Sequence, residues 1–192
     1  MKNIPLFISN SIRLTALDAE ADSAIIAKWT QSGHYIHFLD NVPSHPLSMF
    51  ETKKMLAGLI KESGEKQSSF WFGIRTLDES ELLGIVGLNW VDWSNGGAFM
   101  KLVMKDLPEY TNPSTIEALG LMERYVFHEL QMHHLSIAVP TYNEKLITVL
   151  KKLGFKDEVY RREAVYRFGR YWDDIIFGRL ASNWQKGKSD GR

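Results

Sequence analysis

The stretch from Leu102 to Leu119 concentrates residue types that could do chemistry. A strand-like run leads through Lys105-Asp106-Leu107-Pro108-Glu109-Tyr110-Thr111-Asn112-Pro113-Ser114-Thr115-Ile116-Glu117 into a helical pattern. A helix start carries unsatisfied N–H groups and the positive end of the helix dipole. It is therefore a natural seat for a pyrophosphate. Two caps compete for this start. Asn112 could cap with Pro113 at the first helical position, or Ser114 could cap with Glu117 completing a capping box. Elsewhere His34, His37 and His45 raise the question of zinc, since a spacing of three puts two of them on one helix face. No further ligand set accompanies them, and solvated surface histidines are the commoner outcome. The chain has no cysteine, which excludes a thiol nucleophile, a Cys-ligated metal site and a disulfide scaffold.

The elements that must position these residues follow from periodicity. Residues 12–17 alternate as a strand, and Asp18 can cap a helix running to about Gly33. A second helix is expected over residues 48–61, with Phe50, Met55, Leu59 and Ile60 available for a buried face. Residues 69–76 and 82–93 read as strands. Asn95-Gly96-Gly97 signals a hairpin turn, and residues 98–104 return. A helix follows over residues 114–130, with Ala118, Leu119, Met122, Val126 and Leu130 at helical spacing. Residues 134–139 form a strand. Residues 143–153 form a helix that Gly154 stops. Residues 155–163 and 164–177 complete a strand pair. The fold class is α+β: a mixed, mostly antiparallel sheet of six or seven strands with helices on both faces.

Bulk composition bounds the function. The 192 residues fit one domain, here placed at residues 1–185, and 44% hydrophobic content allows a core without staples. Residues 186–192 read as a tail of Gly, Ser and charge. Twenty-three basic side chains balance 23 acidic ones, which argues against nucleic-acid binding and gives no polybasic membrane signal. Residues 1–10 lack an export-signal core, and no apolar run approaches the ~20 residues of a membrane helix. The expectation is a cytoplasmic protein, monomeric or homodimeric.

Order and spacing then carry a resemblance. Pro108-Glu109-Tyr110, Glu117-Ala118-Leu119, Val126-Phe127-His128-Glu129-Leu130, Asn143, Lys152-Leu153-Gly154-Phe155, Arg162, Gly169 and Asp173 stand in one order. This set resembles the GCN5-related N-acetyltransferase (GNAT) superfamily, and within it the branch that acetylates alanine or serine at ribosomal-protein N-termini. The resemblance covers about residues 82–184. It implies a splay between the fourth and fifth strands that receives the pantetheine arm of acetyl-CoA. It also implies backbone contacts from Leu102, Val103 and Met104. The pyrophosphate would sit on the loop and helix start, at Thr111, Asn112, Ser114 and Thr115. Asn143 would contact cofactor or an active-site water. The amine would attack the thioester directly, with CoA as product.

Three departures from the branch's pattern bear on this. The stretch 110–115 has no glycine where the branch has two small residues, and Pro113 has no N–H to donate. Ser114 and Thr115 hydroxyls could replace part of the loss. Leu146 stands where a serine is proposed as general acid. The fourth strand offers no glutamate, so Asp92, Glu109, His34 and His37 are the candidate bases, and Tyr142 could protonate the leaving thiolate. Arg161-Arg162 suits a paired strand surface better than a phosphate site. The function expected is transfer of acetyl from acetyl-CoA to a primary amine, of a peptide N-terminus or a small molecule. The rival is a degenerate acyl-CoA-binding or interaction module without catalysis.

Overall fold

The computed structural model describes residues 5–32, 45–66 and 68–189. Its strands are β1 (Ile12–Thr15), β2 (Phe70–Thr76), β3 (Leu82–Asp92), β4 (Gly97–Met104), β5 (His134–Pro140), β6 (Lys156–Arg167) and β7 (Arg170–Leu180). They form one sheet of seven strands in the order β1-β2-β3-β4-β5-β7-β6. Only the β4–β5 pair is parallel. The helices are α1 (Ser23–Thr30), α2 (Met49–Lys66), α3 (Pro113–Arg124), α4 (Glu144–Leu153) and α5 (Ala181–Ser189).

Both faces are covered around the middle of the sheet. α1 and α2 set Ile26 and Leu56 on Leu17, Ile85 and Val103. α3 and α4 set Ala118, Leu119, Met122, Leu146 and Leu150 on Val86, Met100, Leu102 and Ile137. Burial on both sides explains why β3 reads as a continuous apolar run rather than an alternation. β6 is one of the two edge strands, exposed along most of its length, and its charged residues discourage pairing with another chain.

Local chemistry moved several boundaries. α1 begins at Ser23, because the Asp18 carboxylate accepts the N–H groups of Glu20 and Ala21 (2.8 and 3.2 Å) and holds a turn instead. Gly33 lies outside the described residues. Ser48 and Glu51 form a reciprocal capping box at the start of α2. That helix runs on to Lys66 and buries Thr52 and Leu56, while Phe50 and Ile60 face outward. α3 continues as a π-helical turn over Tyr125–Glu129. The β6–β7 hairpin turns at Phe168-Gly169, both at positive φ (54° and 77°), as a two-residue primed turn requires. Glu163, also at positive φ, lies within an irregularity of β6 rather than at the turn. α5 carries helical backbone through Ser189, into the stretch that reads as a tail, and is anchored by Trp184 against Phe127.

Candidate active site

The centre of the sheet opens. Gly97 to Met100 pair with His134 to Ile137, and beyond them β4 and β5 part company. The Lys105 N–H donates to Leu83 O (2.8 Å). Strand alternation therefore turns the backbone of Val103 toward β3 and that of Leu102 and Met104 toward the gap. At the gap the Met104 N–H donates to Tyr110 Oη (3.2 Å). Tyr110 is fully buried, and burial pushes its hydroxyl pKa far above the usual range. The hydroxyl therefore stays protonated at any physiological pH.

The loop after β4 is tightly bonded. Pro108–Thr111 form a 3-10 turn, and Asn112 precedes α3 with Pro113 at its first position. The Ser114–Glu117 box does not form, because the Glu117 carboxylate accepts from the Ser11 N–H and hydroxyl (2.9 and 3.1 Å). Nor does the Asn112 side chain cap. Its Nδ2 donates to Glu109 Oε2 (3.0 Å), and Ser114 Oγ donates to the same oxygen (3.2 Å). The Lys105 ammonium stands 3.6 Å from Glu109 Oε1 and 2.6 Å from Glu81. A carboxylate of the chain itself thus faces the amino end of α3.

The sequence-derived site residues divide on this geometry. Thr115 is fully buried and donates its hydroxyl to Glu109 O (2.7 Å), so it cannot replace a lost phosphate donor. Thr111 is exposed and bonds back to Pro108 O. Asn143 is buried and caps α4, accepting the Leu146 N–H at 3.2 Å. Leu146 itself is a core residue. Tyr142 sits edge-on to Phe168 and Trp172 (5.5 and 5.6 Å between ring centres). Burial raises its hydroxyl pKa, with Arg167 opposing and Asp174 adding.

Asp92 is engaged in the turn it precedes. It holds the β3–β4 turn by accepting the Ser94 and Asn95 N–H groups and the Asn95 amide, and the Asn95 side chain leads in lowering its pKa. It pairs with Gly97, which pairs in turn with His134, so it lies roughly 7 Å along the strand from the level of Phe99, below the closed end of the gap. His34 and His37 lie outside the described residues. Among the described residues no group of His, Asp and Glu is placed to hold a metal. Arg161 pairs with Asp174, as a strand-surface role requires. Sequence reasoning used Tyr110 only within the run Pro108-Glu109-Tyr110 that carries the resemblance and gave it no role in the site.

Residues 11–156 match the family model "Acetyltransferase (GNAT) domain". The chain belongs to the GNAT acetyltransferase family. It is 31% identical over 116 residues to a probable N-acetyltransferase, YjcK, of Bacillus subtilis, an alignment covering 59% of this chain and 62% of that one. It thus spans under two-thirds of that relative's length. It is 24% identical over 132 residues to the ribosomal protein uS5-alanine N-acetyltransferase of Escherichia coli, covering 68% of each. The fold is that of the spermidine N-acetyltransferase of Vibrio cholerae solved with CoA and spermine. The TM-score is 0.76 at 18% identity, over 91% of this chain and 98% of that one.

The GNAT groove of this chain suits an extended amide-bearing arm, because buried backbone groups face a gap with no strand to pair them. For a diphosphate the fit depends on Glu109. If its carboxylate turns away, Asn112 Nδ2 and Ser114 Oγ become available donors, with the Lys105 ammonium held beside them by Glu81. Lys145 of α4 reaches the same loop, its Nζ donating to Leu107 O (3.4 Å).

Proposed function

We propose that the chain is an acetyl-CoA-dependent N-acetyltransferase acting on a primary amine, of a peptide N-terminus or a small molecule. The observation that carries this is the divergence of β4 and β5 beyond Met100 and Ile137, with the backbone of Leu102 and Met104 turned into the opening, where no strand pairs it and Tyr110 holds the Met104 N–H. Those backbone groups would hold the pantetheine amides, and Asn112, Ser114, Lys105 and Lys145 the phosphates. Acetyl-CoA supplies an activated acyl group as a thioester. The residues of the chain orient and exchange protons. Proximity alone supplies much of the rate of such a transfer, which suits a chain without a nucleophilic thiol. Tyr142, kept protonated by burial, would donate its hydroxyl proton on the side where sulfur departs. Asn143 would act by fixing the start of α4 beside the gap.

Glu109 favours one other reading: a carboxylate at the phosphate seat suits a weak binding module as well as an enzyme. Thermal-shift titration with CoA separates the cases. Ligand at ~100 times its dissociation constant adds about 2.7 kcal/mol, and thiol release across an amine panel then reports turnover. No shift at millimolar CoA removes the cofactor assignment, and a shift without thiol release leaves the binding module.

A further inference from the structure

We propose that Ser136, His134 and Glu158 form a proton relay that takes the proton of the acceptor ammonium, with Ser136 as the catalytic residue and the other two positioning it. The inference rests on the acetyl-transfer reading and deepens it. The Ser136 hydroxyl lies 3.3 Å from His134 Nδ1, and His134 Nε2 lies 2.9 Å from Glu158 Oε1. A carboxylate can only accept. Nε2 therefore carries the hydrogen, Nδ1 accepts from the Ser136 hydroxyl, and the lone pairs of Ser136 Oγ are left to receive a proton.

Three separate features build this array. Residues two apart on a strand share a face, so β5 presents His134 and Ser136 together. Glu158 is the extra residue where β6 slips register against β7, between Asp157↔Phe177 and Val159↔Ile176. Such a bulge re-aims a side chain, here onto the open face. Opposite it stands Gly178, where an added methyl group would overlap the Glu158 carboxylate. Only a residue without a side chain leaves Glu158 its place.

Position gives the array its use. Ser136 pairs with Phe99, one step before the last pair, Met100↔Ile137, where the gap opens. One strand step is ~3.3 Å, so the hydroxyl stands at the apex of the gap, on the sheet face that carries α1 and α2. β4 brings no carboxylate to this point, and Asp92, across Gly97 from His134, is engaged by Ser94 and Asn95. The charged side chains that strand register places on this face beside His134 are Asp92 of β3, Glu158 and Lys156 of β6 and Lys101 of β4. β7 brings Gly178 and Leu180.

The step balances. An ammonium proton passes to Ser136 Oγ as the Ser136 hydroxyl proton passes to His134 Nδ1, and the imidazolium stays paired with Glu158. The neutral amine forms the C–N bond. Its second proton leaves nitrogen as the C–S bond breaks, and the thiolate takes up one proton. The imidazolium returns the first proton to water.

Two measurements test this on the full-length protein. In the first, kcat and KM are compared for a strongly basic alkyl amine and for an aromatic amine that is uncharged at neutral pH. Ser136→Ala, His134→Gln, Glu158→Gln and Gly178→Ala should lower kcat on the alkyl amine by about 10²-fold, the usual share of positioned acid–base catalysis. They should change the aromatic amine less than about threefold, and leave the KM for acetyl-CoA unaltered. Equal losses on both amines, or none on either, overturn the relay. If the native protein turns over neither amine, the acetyl-transfer reading fails first and the relay with it. In the second, nitrogen-15 NMR of the ligand-free native protein should find His134 protonated at Nε2 and bare at Nδ1, a preference lost in Glu158→Gln and Gly178→Ala. A hydrogen on Nδ1 in the native protein overturns the relay independently of any turnover.

Discussion

Glu109 stands where a helix dipole invites an anion. Its carboxylate takes hydrogen bonds from Asn112 and Ser114 and faces Lys105, so any incoming phosphate competes with it. Removing that charge should therefore tighten binding. An anion near a helix N-terminus is worth ~0.3–1 kcal/mol, so Glu109→Gln is expected to lower the Kd for CoA about two- to fivefold by calorimetry. An unchanged or weaker affinity would mean the carboxylate does not contest the seat. Asn143 behaves differently. As the cap of α4, its replacement by Ala should cost about 1 kcal/mol, roughly 2–4 °C in Tm for a chain of this size. Asn143→Ser should recover most of it, and a scan that shows no loss for the Ala variant would deny the cap. The sequence located Asn143 at a helix start without difficulty, because the amphipathic run after it is strong. It could not show that Thr115 is sealed in by Glu109 O, since that depends on how a 3-10 turn folds back.

At the scale of elements, the strongest sequence signals were those whose physics is local. Gly154 ends α4 at φ 89°, a conformation that costs other L-residues about 1–2 kcal/mol, and Gly154→Ala should lose about that much in urea melts. Gly96 turns the β3–β4 hairpin at positive φ, as Asn95-Gly96-Gly97 implies. The β6–β7 turn was misplaced because Phe168 adopts positive φ, which its side chain gives no reason to expect. Glu123 escaped notice for a related reason. It sits in the last turn of α3, buried, paired with Arg179 of β7. Nothing in a one-dimensional reading links residues 56 positions apart. Removing one partner of such a buried pair typically costs 3–5 kcal/mol. Glu123→Ala should shift the denaturation midpoint accordingly, and a shift below about 1 kcal/mol would show that the arginine finds water instead.

For the whole molecule, the mixed, mostly antiparallel sheet and its central opening were legible beforehand, whereas the bulge that aims Glu158 was not, because a register slip leaves no mark on a charged, exposed strand. The buried tyrosines make one global prediction. Burial raises Tyr110, and burial together with the Glu129 carboxylate pushes Tyr125 up to about 12. The folded protein keeps those protons where the unfolded chain, titrating near 10, has lost them. Stability is thus complete below pH 10 and should fall as pH rises from 10 toward 12. Tyr125→Phe should flatten that decline, and equal slopes in both proteins would contradict it.

The short parallel seam between β4 and β5 has a kinetic consequence. The strands on each side of it are joined mostly by hairpins, contacts a chain finds quickly. The seam joins residues separated by all of α3 and its loops, and closing so long a loop is slow. The two halves should therefore acquire their hairpins early and zip together last. Truncations along the seam, such as Ile137→Val, should accelerate unfolding while leaving the refolding rate nearly untouched.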